Sequence, residues 1–227
     1  LKVLKEHIVK AIEDLKLLPE FIDLKTPSDR CIELSRKYLN LLLFWNQTHD
    51  LIGPPKSIED MLLVHFTDSL ASFHVCNKDR ENRKLRYMDI GTGAGIPGFF
   101  WHFLFEDKGV EIETILLEPR EKRVHFMEEV IRELGLTNII PIKERVDGLL
   151  KLKLDFVDIY TARALKLTDK DIKILKKLDS SKQPQILWLA GPETEVQAGW
   201  DLASGYSLVS AEEYGRRIYS ATLQSSL

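Results

Sequence analysis

The hydrophobic and polar positions of this chain change period part-way along it. Between 30 and 46 the apolar residues Cys31, Leu34, Tyr38, Leu41, Leu42 and Trp45 recur at steps of three and four, the spacing of a helix with one buried face. Ser28 or Asp29 is placed to cap its start. Pro54-Pro55 breaks the pattern, since neither residue can donate to a helix ladder. Ile58 to Cys76 then resumes it, so residues 1–84 read as helical.

From Leu85 onward, short apolar runs alternate with helical stretches. Leu85–Ile90, Glu113–Glu118, Asn138–Ile142, Phe156–Tyr160 and Gln185–Leu189 read as strands. Between the second and third, Val124, Met127, Val130, Ile131 and Leu134 share one helical face, with Pro119 at the N1 position and Gly135 as the stop. Strands alternating with helices predict an open, mostly parallel α/β sheet. The expected organisation is a helical cap over 1–84 and a Rossmann-like domain over 85–227, packed as one compact unit. No internal repeat is present, and Arg216-Arg217 in the tail reads as a strand-end charge.

Composition narrows the class. With 227 residues and 44% hydrophobic side chains, the chain can build a large core without a disulfide or metal staple. Its densest apolar stretch, Leu39 to Trp45, is far shorter than the roughly 20 residues a bilayer requires. Cys31 and Cys76 form no CxxC and read as buried, reduced thiols. With no secretory signal pattern at the start, the expected location is the cytoplasm. Nothing in the spacing suggests a metal, and nothing speaks for an oligomer. A net charge of −3 argues against coating nucleic acid through bulk charge. It leaves room for local basic stretches, such as 78–86 with five bases and two acids, or 166–177 with five lysines and two aspartates.

The chemistry concentrates after the first strand, in Asp89-Ile-Gly91-Thr-Gly93-Ala-Gly95-Ile96-Pro97-Gly98. In a parallel sheet ligands bind beyond the carboxyl ends of the strands, and glycines let backbone approach a ligand closely. Gly93-x-Gly95-x-x-Gly98 also fits the dinucleotide fingerprint, a weak signal by itself. Asp89 separates the readings: a carboxylate here repels a pyrophosphate and attracts the ammonium and sulfonium of S-adenosylmethionine. Glu118, at the end of the second strand, can accept ribose hydroxyls of either cofactor. Val146 and Asp147 follow the third strand, placed to flank an adenine, and Arg163 ends the fourth.

These residues resemble the bacterial 16S ribosomal RNA guanine-N7 methyltransferases, the glucose-inhibited division protein B family. The resemblance runs through Trp45-Asn46, His65-Phe-Thr-Asp68-Ser-Leu70, the Asp89–Gly98 block, Leu117-Glu-Pro-Arg-Glu-Lys-Arg123 with Phe126, Glu144-Arg-Val-Asp147 and Thr161-Ala-Arg163-Ala164. It implies a class I S-adenosylmethionine-dependent methyltransferase: a seven-stranded, mostly parallel sheet with one reversed strand behind an N-terminal helical cap. The resemblance implies cofactor contacts from Gly91, Gly93, Ile96, Glu118, Val146, Asp147 and Arg163, to which the charge of Asp89 and the glycine loop at Gly95 add two more expected contacts. Arg163 and Arg145 are the candidates for placing the guanine edge or a phosphate, through the planar donor fork of the guanidinium. The two basic stretches are candidate phosphate contacts, and His65 and Asp68 are expected to fix the cap against the sheet. The implied partner is 16S ribosomal RNA, free or in the small subunit; a monomer is the expected state. Two positions depart from the family: Asp50 stands for its usual asparagine, and Ala190 for the lysine before Gly191.

Overall fold

The computed structural model describes residues 2–16, 21–53, 61–76, 84–152, 154, 156–165, 167–178, 184–191, 200–207 and 215–223. Pro54-Pro55, Ile58 to Asp60, most of the 78–86 stretch and Lys166 lie outside them. The cap comprises α1 (Lys2–Lys16), α2 (Asp29–His49), a π turn (Leu62–Phe66) and α3 (Thr67–Cys76). The sheet region follows as β1 (Leu85–Ile90), α4 (Gly98–Asp107), β2 (Ile112–Leu117), α5 (Glu121–Leu134), β3 (Ile139–Ile142), a 3-10 turn (Val146–Lys151), β4 (Ile159–Arg163), α6 (Asp169–Leu178), β5 (Gln185–Ala190), β6 (Asp201–Ser207) and β7 (Gly215–Thr222).

Seven strands form one sheet in the order β3-β2-β1-β4-β5-β7-β6. The first five in chain order pair in parallel, and β7 runs antiparallel to both β5 and β6. A dinucleotide-binding sheet has six strands ordered 3-2-1-4-5-6. Inserting a reversed strand between β5 and β6 distinguishes this sheet from it and matches the expected methyltransferase architecture.

Side chains alternate across each strand, and the two faces meet different partners. Leu85, Tyr87, Ile112, Leu116, Ile159 and Leu187 pack in one cluster with the cap, α4 and α5. Met88, Ile90, Ile115, Leu117, Tyr160 and Ala162 pack in the other with the 3-10 turn and α6. Asp89, Thr161 and Arg163 fall on the cap face by the same alternation.

Local signals explain most element ends. Ser28 caps α2, its side chain accepting from the Cys31 amide at 3.3 Å, and Asp50 closes that helix in the left-handed region at φ 46°. Gly135 ends α5 at φ 61°. Pro119, expected at a helix N1 position, stands outside: Arg120 is the N-cap, because its amide donates to Glu118 Oε1 at 3.0 Å and delays the helix to Glu121. The fourth strand also moves, from the expected 156–160 to Ile159–Arg163. Asp158 forms a bend instead, its carboxylate accepting from the Arg86 amide at 2.9 Å. Both cysteines are buried and unbridged, and burial pushes the Cys31 thiol up to about 12. Among the described residues no helix is long and apolar enough to cross a membrane.

Candidate active site

A cavity of about 980 Å³ opens at the carboxyl ends of β1, β2 and β4, where an α/β sheet offers its ligand crevice. The glycine-rich loop supplies one wall through Gly91, Gly93 and Ile96, and Glu118 and Arg163 line it as well. A second cavity of about 300 Å³ adjoins it, sharing Gly91 and Arg145 and adding Val146 and Asp147. The structure thus gathers Gly91, Gly93, Ile96, Glu118, Arg145, Val146, Asp147 and Arg163 around one crevice. Arg120 and Arg123, for which sequence reasoning assigned no role, line it too. Their signal was present within Leu117–Arg123, but nothing in the spacing tells which of those side chains turn inward.

Glu118 is buried and ties the loop to α5. Its Oε2 accepts from the Gly93 amide at 3.0 Å and its Oε1 from the Arg120 amide. Arg123 Nη1 stands 3.6 Å from Oε2. Gly93 holds φ at 63°, a conformation L side chains rarely adopt, and this turns its amide toward the carboxylate.

Two of the expected contact residues, Asp89 and Gly95, stand off the cavity wall. Asp89 does not line the cavity: it is fully buried beneath the loop. Its Oδ2 accepts from Thr92 Oγ1 at 2.5 Å and from the Gly98 amide at 2.9 Å, and its Oδ1 from Thr161 Oγ1 at 2.7 Å. Because Thr161 spends its proton on Asp89, the Tyr87 hydroxyl donates to Thr161 Oγ1 at 2.7 Å. Asp89 therefore organises the loop through Thr92 and the Gly98 amide and ties it to β4 through Thr161. Burial pushes the Asp89 carboxyl up to about 6, its three hydrogen bonds and Arg163 opposing that rise. Gly95 is likewise absent from the wall. A Cβ there would stand 2.3 Å from Phe99 Cδ2, so this glycine serves close packing of the loop on α4.

The basic stretches divide. Lys84 and Arg86 sit at the opposite end of β1 from the cavity and pair with Glu111 and Glu113, which removes them from the crevice. Lys170, on the first turn of α6, lines the smaller cavity. Arg217 of β7 is paired in register with Ala190.

His65 and Asp68 meet Arg163. Its Nε and Nη2 donate to Asp68 Oδ2 at 3.2 and 3.1 Å, and Nη2 donates to His65 Nδ1 at 2.9 Å. Asp68 is fully buried and the Arg163 side chain is 14% exposed.

Residues 31–201 match the family model described as rRNA small subunit methyltransferase G. The chain belongs to this family. Similar relatives carry the name ribosomal RNA small subunit methyltransferase G. That of Malacoplasma penetrans is 30% identical over 155 residues, covering 67% of this chain and 62% of that protein. That of Desulforamulus reducens is 40% identical over 113 residues, covering 49% and 43%. The match to the first of these spans about three fifths of the relative's length. Among solved structures, magnesium protoporphyrin IX methyltransferase from Synechocystis, with bound S-adenosylmethionine, superposes with a TM-score of 0.52. It shares 14% identity and covers 87% of this chain and 99% of that one. At that identity the likeness shows the fold: a class I methyltransferase sheet.

Proposed function

We propose that this member of the methyltransferase G family transfers a methyl group from S-adenosylmethionine to N7 of a guanine in small-subunit ribosomal RNA. The observation that carries the reading is the crevice itself: loop backbone at Gly91 and Gly93, a buried carboxylate at Glu118 and an apolar shelf at Val146 meet at the switch edge of a sheet with a reversed strand. Glu118 would accept the ribose hydroxyls, Val146 would pack on the adenine and Asp147 would accept from its amino group. Ile96 would close the loop side of the seat. S-adenosylmethionine supplies an electrophilic methyl on its sulfonium.

Guanine N7 carries an in-plane lone pair and no proton, so the reaction has no obligatory general base. The task of the protein is then to hold the base in line with the methyl, an effect that contributes several kcal/mol, on the order of 7–11 at its upper limit. Arg163 and Arg145 would place the guanine O6 edge or a neighbouring phosphate, each through a planar donor fork. A base in a loop or single-stranded segment can be splayed into such a cavity. The partner would be 16S ribosomal RNA, free or in the small subunit, met by a monomer in the cytoplasm. The cap over 1–84 and the sheet domain over 85–227 would act as one unit.

The test is methyl transfer from labelled S-adenosylmethionine to small subunits from a strain lacking the modification, with the product mapped by cleavage at N7-methylguanine. One labelled guanine is expected. Cofactor binding without incorporation would overturn the ribosomal substrate, and absence of cofactor binding would overturn the enzyme class.

A further inference from the structure

The cap does more in this protein than cover the sheet. Arg163 ends β4 on the face that the cap covers, the same face as Asp89 and Thr161. Two of its three guanidinium nitrogens are committed to the cap: Nε and Nη2 to Asp68 Oδ2, and Nη2 again to His65 Nδ1. Nη1 takes no part in these bonds, and the side chain lines the cavity. A guanidinium is flat and rigid, so binding one edge sets the direction of the opposite corner.

We propose that Asp68 and His65 are positioning residues, aiming Arg163 at the reacting guanine; this rests on the methyl-transfer reading above. The two lie three residues apart where a π turn passes into α3, a spacing that puts both on one helical face. Interruptions of this kind are frequent at functional sites. Arginine can only donate, so His65 Nδ1 is the acceptor and its ring carries its proton on Nε2. The histidine ring and the buried carboxylate together occupy that side of the guanidinium. Were the contact only a staple between cap and sheet, a packed apolar pair would hold it as well. A buried ion pair on the cavity wall instead makes the direction of Arg163 depend on the cap.

The experiment is a double-mutant cycle of Asp68→Ala and Arg163→Ala, read as kcat for methyl transfer to small subunits and, separately, as S-adenosylhomocysteine affinity by calorimetry. Each single variant is expected to lower kcat by about 10- to 100-fold, and the double variant to fall no further than Arg163→Ala alone. Cofactor affinity should change by less than about threefold in Asp68→Ala. Asp68→Asn, which keeps an oxygen acceptor, and His65→Gln, which offers one, should recover most of the rate lost in Asp68→Ala and His65→Ala. These two also carry the test if an alanine variant does not fold. Losses that multiply in the double variant, or asparagine no better than alanine in folded protein, would overturn the positioning role while leaving the methyl-transfer reading intact. A wild-type protein without transfer would overturn both.

Discussion

The Tyr38 hydroxyl, from the middle of α2, donates to the Ala94 carbonyl oxygen at 2.8 Å. A cap residue thereby holds the glycine-rich loop at Ala94 while Asp89 holds it at Thr92 and Gly98. Tyr38 is fully buried against Phe99, Phe100 and Phe126. Its hydroxyl is kept protonated by burial, which raises its pKa well above the ordinary value, reinforced by the Asp89 charge. Tyr38→Phe keeps the ring packing and strands the Ala94 carbonyl. The expected loss is about 1–3 kcal/mol of unfolding free energy by denaturant titration, with weaker cofactor binding; an unchanged midpoint would mean the carbonyl finds another donor.

Asp89 makes stability depend on pH in an unusual direction for a carboxylate. Its folded-state value of about 6 lies above the ordinary aspartate value of 3.8, so the folded chain takes up a proton before the unfolded chain does. Its contribution is thus lowest above pH 6 and rises as pH falls toward 4. Compared with Asp89→Asn, the wild-type protein should gain about 1–2 kcal/mol between pH 7.5 and pH 5. Urea unfolding of both proteins at the two pH values measures this, and a constant difference would show that Asp89 ionises alike in both states.

Glu118→Gln tests the ribose seat. The carboxylate accepts two amide protons on separate oxygens, from Gly93 and Arg120, and an amide side chain must point an NH2 at one of them. The expected outcome is a loss of S-adenosylhomocysteine affinity of about 1–3 kcal/mol by calorimetry, from the lost charged acceptor and the disturbed loop. Affinity equal to wild type would remove Glu118 from the seat.

Gly95→Ala should harm the fold rather than the contact surface. The position holds φ at 97°, and the added Cβ would meet the Phe99 ring at 2.3 Å. Strain and overpacking together predict a destabilisation of at least about 2 kcal/mol. Thermal unfolding without ligand shows it; a loss of cofactor affinity with stability intact would return Gly95 to the cavity wall.

Much of this was legible along the chain. The three- and four-step spacing from Cys31 to Trp45 marks the buried face of α2, and Ser28 and Gly135 mark helix ends, because caps and amphipathic faces are local chemistry. The loop from Asp89 to Gly98 and the acid at Glu118 carry the crevice in the same way. The pattern sets the fourth strand too early because Thr161 and Asp158 are polar yet buried, satisfied by partners 72 residues away. The strands β6 and β7 left no pattern that local reading could use, since their order is set by antiparallel pairing across the sheet edge.

The sequence by itself determined that this chain folds as helices followed by an α/β sheet, where its glycine loop lies and which acid ends the second strand. Only the tertiary structure decided what each polar group faces. Asp89 and Arg163 are both charged residues near the end of a strand. One is sealed under the loop by Thr92, Thr161 and the Gly98 amide, and the other is turned along the cavity wall by Asp68 and His65. Periodicity assigns a residue to a face, but its partner comes from a distant segment, and in a low-dielectric interior that partner sets its charge and its direction.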